Sequence, residues 1–223
     1  MGITQQIGAS SLIKPGVVDN TAARPASPYE GQVIFQKDTD QLLVWNGTAW
    51  VMFANANQPP GLQLVKTDTI TSGNSKEITS AFSSDFNNYR IILSNLKLSG
   101  VANVTMRMGT TSTGVYYYGG LSRNYGSATT NGEQGAGAAQ WFIGCIGTST
   151  ESASAIIELH MPNLVQVTSF MSLGSDPRTS GAGARNYSGY INNTTQYTSF
   201  SLLGDGGATF SSCDISVYGY RNS

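Results

Sequence analysis

Residues 31–53 read GQVIFQKDTDQLLVWNGTAWVMF, and the rest of the chain is best understood from this stretch. Val33 and Phe35 alternate with Gln32, Ile34 and Gln36, which is largely the two-residue period of a strand. Lys37, Asp38, Thr39 and Asp40 make a turn, because Asp and Thr side chains bond nearby backbone. Leu42, Leu43, Val44 and Trp45 supply a return strand, and Asn46-Gly47 predicts a tight hairpin, since both residues tolerate positive φ. Trp50, Val51, Met52 and Phe53 form a third strand. A three-strand meander of this size cannot bury a core by itself. Val33, Phe35, Leu43, Trp45, Trp50 and Met52 are therefore expected to serve oligomerisation or attachment, packing on symmetry mates or on another protein.

Upstream, residues 1–30 lack sustained periodicity and are punctuated by Pro15, Pro25 and Pro28, each of which fixes φ and removes a donor. They read as an extended anchoring arm. Downstream, ANANQPPG at 54–61 is a linker, so the meander module spans 31–57. From residue 62 to 223 short strands recur, expected at 62–71, 88–98, 101–108, 115–125, 138–146, 153–162, 164–174, 184–192, 196–204 and 211–220. Gly, Asn and Ser mark the turns, including 131–137, and the Gly-rich stretch 127–140 reads as a long loop. Only TSAFSSDFNNY at 79–89 has room for a helical turn. The pattern predicts an all-β chain: an arm, a small meander, then a jelly-roll or β-sandwich domain.

Composition narrows the function. Of the 223 residues 11% are charged, against about 25% in an average soluble domain, and the net charge is −1. Such a chain has no basic field for nucleic acid or for an anionic membrane surface. No apolar run approaches the ~18 residues of a membrane-spanning helix, so no membrane insertion is expected. The start MGITQQIGASSLIKPG has neither the basic nor the continuous apolar region of a signal peptide. Cys145 and Cys213 lie in apolar runs and are expected as buried free thiols.

No catalytic, metal or cofactor site is expected. The single histidine, His160, shares a strand face with Glu158, and the pair reads as a polar contact rather than a metal site. No nucleophile motif accompanies it. Glycosidase chemistry needs only two carboxylates about 5–10 Å apart, and nine acidic residues lie beyond residue 61, most of them in expected turns. Tyr116, Tyr117, Tyr118 and Tyr125 are candidate ligand-binding residues, since exposed rings serve sugars and protein partners alike. The same tyrosines would equally serve a core and a subunit contact.

The stretch TAARPASPYEGQVIFQKDTDQLLVWNGTAWV, residues 21–51, resembles a module near the start of many tailed-phage virion proteins. The resemblance rests on Arg24-Pro25, Pro28, Glu30-Gly31-Gln32, Asp38-Thr39-Asp40 and the Leu-Val-Trp-Asn-Gly-Thr-Ala-Trp run. YRIILSNLK, NVTMRMG and the closing FSSCDISVYGYRN, residues 210–222, are similar to strands of phage fibre and head-decoration jelly rolls. Where that closing strand has a Gly-Ser pair, this chain has Ser212-Cys213. The resemblance implies a bacteriophage virion protein made in the host cytoplasm and displayed on the outer surface of the particle as a homotrimer. It implies a structural, non-enzymatic role as head-decoration protein or short fibre, with residues 1–30 held by another virion protein. The alternatives are a tail-fibre tip binding a host surface glycan and a polysaccharide depolymerase.

Overall fold

A computed structural model describes residues 15–53, 61–178 and 181–221. The chain divides into two compact units, Met1–Pro59 and Pro60–Ser223.

The first unit is a four-stranded sheet in spatial order β1-β2-β3-β4: β1 (Gly16–Val18), β2 (Val33–Gln36), β3 (Gln41–Trp45) and β4 (Trp50–Met52). The three expected strands are present and antiparallel. The turn between β2 and β3 places Asp40 at φ 50°, a conformation Asp tolerates. The second turn differs from a two-residue hairpin. Trp45 pairs with Trp50, so four residues, 46–49, make the connection, and only Gly47 takes positive φ. The Asn46 side chain closes this turn by accepting from the N–H groups of Thr48 and Ala49.

Residues 16–30 are not an independent arm, which corrects the sequence expectation for the described part of that segment. β1 pairs in parallel with β2. Asn20 then caps a 3-10 turn at Thr21–Ala23, and Arg24 Nε donates to Gln36 Oε1 at 2.7 Å. Gln36 Nε2 donates to Thr21 Oγ1 and Asp38 Oδ1. The physical reason is Gln36 itself, a polar side chain 1% exposed that needs partners, which this segment supplies. Residues 1–14 lie outside the described residues.

The second unit is a two-sheet β-sandwich. Its strands are β5 (Leu62–Ile70), β6 (Ser75–Ile78), β7 (Phe86–Leu98), β8 (Ala102–Met108), β9 (Tyr116–Asn124), β10 (Thr130–Ala138), β11 (Trp141–Gly147), β12 (Ala153–His160), β13 (Ser169–Asp176), β14 (Gly183–Ile191), β15 (Phe200–Gly204) and β16 (Phe210–Arg221). One sheet runs β10-β9-β14-β13-β12-β7-β16-β5 and the other β11-β8-β15-β6, with antiparallel pairing throughout. Alternation puts Tyr89, Ile91, Leu93, Ile157, Leu159, Phe170 and Val217 of the large sheet against Val104, Met106, Trp141, Ile143, Phe200 and Leu202 of the small one, all fully buried or nearly so.

Two expectations need correction here. Residues 79–89 hold no helix; Ala81 and Phe82 are buried plugs whose N–H groups both donate to Thr198 O, and the Tyr89 hydroxyl ties down Ser83. The Gly-rich stretch 127–140 is largely strand β10, paired with β9 from Thr130 onward. Gly135 is what lets the Tyr118 ring lie across the pair. A Cβ at Gly135 would lie 2.3 Å from the Tyr118 ring, so the ring covers the glycine instead.

Candidate functional site

The outward face of the eight-stranded sheet is the most distinctive surface among the described residues. Register fixes who shares it. Leu121, Asn186, Leu173, Ile156 and Ile92 lie in one row across β9, β14, β13, β12 and β7. Gly119, Ser188, Met171, Glu158 and Arg90 form the next, and Tyr117, Tyr190, Ser169, His160 and Asn88 the third. Met171 is 55% exposed, Leu173 59%, Leu121 52%, Ile156 41% and Tyr190 42%. Gly119 and Ser188 leave a shallow depression of about 540 Å³ between the Leu121 and Met171–Leu173 ridges. It continues past Gly119 and Ser188 into a second hollow of about 300 Å³ beside Tyr117 and Tyr190.

The four candidate tyrosines separate. Tyr117 stacks on Tyr190 with ring centroids 5.1 Å apart and planes 6° from parallel, at the margin of this face. Tyr125 is exposed just beyond β9. Tyr118 is half-buried on the inward side, near Tyr187. Tyr116 is removed from the candidates: it is fully buried, packs edge-on to Trp141, accepts from Met108 N–H and donates to Thr111 O. Burial pushes its hydroxyl up to about 12.

Polar groups on the face are mostly paired with one another. Glu158 accepts from Arg90 Nε at 2.6 Å and from the Tyr220 hydroxyl at 2.8 Å, and its bond to Arg90 raises the guanidinium further. His160 Nδ1 lies 3.3 Å from Asn88 Oδ1. Glu158 and His160 thus make separate cross-strand contacts rather than one ligand pair. Among the described residues no three His, Cys, Asp or Glu side chains cluster to hold a metal.

On the inward side, Asp176, the last residue of β13, has its side chain wholly buried. Burial alone would raise its carboxyl, but hydrogen bonds from Arg178 and Arg185 outweigh it and hold the group below the usual range. Arg185 also reaches Glu133, whose other oxygen accepts from the Tyr187 hydroxyl at 2.6 Å. Cys145 and Cys213 are buried free thiols, and desolvation pushes both up, Cys213 to about 12. Such thiols are poor nucleophiles, and a carboxylate clamped by two guanidinia is an acceptor rather than a proton donor. The outward face, by contrast, offers apolar contact area.

In the first unit the six residues expected to pack outward split between two faces. Leu43, Trp45, Trp50 and Met52 share the face of Ile34 and Gln36, the side bonded by the Thr21–Arg24 segment. Ile34 and Leu43 are 1% and 3% exposed, and Trp45 and Trp50 form a half-buried edge-to-face pair 5.6 Å apart. Each tryptophan thus buries part of the other within one chain. Val33 and Phe35 lie on the opposite face with Val17, Leu42, Val44 and Val51.

The outward-face residues Leu121, Ile156, Met171 and Leu173 were not candidates from sequence. Their signal is present in SFMSLGSD, residues 169–176, where Met171 and Leu173 alternate with Ser172 and Gly174, but it reads naturally as core. Compared with known proteins, the chain matches no protein family, no characterised protein and no solved structure.

Proposed function

We propose that the chain is a structural protein of a tailed-phage virion, a homotrimeric head-decoration protein or short fibre displayed on the particle's outer surface, without catalytic activity. The observation that carries this reading is the construction of the first unit. The stretch resembling phage virion modules folds as a compact sheet, one face bonded by the Thr21–Arg24 segment and the other made of Val17, Val33, Phe35, Leu42, Val44 and Val51. Val17 and Val51 are exposed. Six apolar side chains on one side of a four-stranded sheet suit a module whose place is in an assembly, since a free sheet alternates apolar and polar faces. The low-charge sandwich joined to it is the displayed part.

The mass of the intact protein in solution tests the oligomer. Light scattering should give three times the 23.6 kDa chain. Val33→Asp together with Val44→Asp should lower that mass without unfolding the sandwich. A single-chain mass for the wild type would contradict the homotrimer.

A further inference from the structure

The two outward faces of the sandwich differ in kind. On the small sheet the outward positions are mixed: Asn103, Thr105, Arg107, Ser201 and Glu77 stand with Ile146 and Leu203, and polar contacts such as Arg107 with Gln140 and Ser199 with Glu77 tie them together. None of its apolar side chains is among the exposed large hydrophobic residues, and Ile146 is buried. The large sheet presents Leu121, Ile156, Met171 and Leu173 in contiguous positions, with Tyr117 and Tyr190 beside them and Leu64 exposed on β5 at the far edge.

We propose that this face of the eight-stranded sheet is covered, in the assembled protein, by a second copy of this chain, an inference that rests on the oligomeric reading above. Size is the first argument. Eight strands spaced ~4.8 Å apart, over about 20 Å of strand, offer roughly 700 Å², close to the ~800 Å² per partner of a stable interface. Charge is the second. In the three central rows the charged residues are Arg90 and Glu158, and they pair with each other. A face so nearly neutral can meet another copy of the same low-charge chain without like-charge repulsion. Side-chain type is the third. Met and aromatic residues with aliphatic neighbours are the usual contents of an interface core, and here the stacked Tyr117 and Tyr190 stand beside Met171 and Leu173.

The test is Met171→Glu with Leu173→Glu, two positions more than half exposed and so tolerant of charge in a single chain. The double variant should keep the wild-type melting temperature within the error of an exposed change and sediment as single chains. In parallel, Leu173→Cys is labelled with a maleimide; Cys145 and Cys213 are buried and stay silent. Labelling in the assembled protein should be about tenfold slower than in protein diluted until it dissociates, because access limits thiol reaction. A double variant that retains the wild-type mass, with Leu173→Cys labelled at the free rate, overturns the proposal while leaving the oligomer standing. A single-chain wild type overturns both. Slow labelling in a single-chain species assigns the face to another part of the same chain, and retained mass with lost adsorption to host cells assigns it to a host ligand; either result overturns the proposal.

Discussion

Tyr116 and Tyr117 are neighbours with opposite roles. Tyr116 carries two hydrogen bonds inside the core, and Tyr117 stacks on Tyr190 outside it. Tyr116→Phe leaves the Met108 N–H and Thr111 carbonyl without their partner and should lower unfolding free energy by about 1–3 kcal/mol. Tyr117→Ala should cost under about 1.5 kcal/mol, the worth of an aromatic pair; urea denaturation compares the two. That the tyrosines divide between faces was legible from strand alternation, but which face was core was not. Asp176 carries a second prediction. Its folded-state carboxyl is depressed, so its contribution is fully present above the ordinary carboxylate value of 3.8 and is lost as pH falls through the folded value. Asp176→Asn strips a buried charge from Arg185 and Arg178 and should destabilise by about 3–5 kcal/mol at neutral pH. The melting-temperature gap between wild type and variant should narrow on acidification below about pH 4; a gap that widens there would contradict the assignment.

The β9–β10 ribbon depends on glycines in both strands, and in β10 the sequence had suggested a loop. A Cβ at Gly120 would lie 2.4 Å from the Tyr187 ring and 2.3 Å from Asn186 O, so Gly120→Ala must displace the ring that carries the hydroxyl bound to Glu133. Such overpacking should cost about 1–3 kcal/mol, read as a lower urea midpoint; an unchanged midpoint would show that both the ring and the Asn186 carbonyl give way freely. Strand existence was legible across most of the sandwich because alternation there is strong, as in ASAIIELH at 153–160. It failed for β10, where TNGEQGAGA carries no apolar alternation and pairing relies on Tyr118 covering Gly135. In β13 the alternation is present but inverted. Gly174 faces inward because a Cβ there would meet Gly144 O at 2.1 Å, where β11 crosses close beneath. Ser172 and Gly174 therefore turn toward the core along with Phe170, while Met171 and Leu173 turn out, and a reading of the Met171–Gly174 stretch by hydrophobicity alone assigns the wrong face. For the first unit, the strands were legible but the cover was not, since the bonds of Arg24 and Thr21 to Gln36 leave no periodic trace.

Across the molecule, the first unit has an apolar sheet face and the sandwich has exposed apolar residues on the outward face of its large sheet. In the proposed reading both faces make contacts within a homotrimer, and the homotrimer sits on the outer surface of a virion. Low charge fits a surface that holds its partners by area rather than by steering them. The placement on a particle is the claim on which the others converge. Antibodies raised against the sandwich, residues 62–223, and coupled to gold should decorate the exterior of purified phage particles and co-purify with them through a density gradient. Unlabelled particles, with the chain left entirely in the soluble fraction of the lysate, would contradict the account.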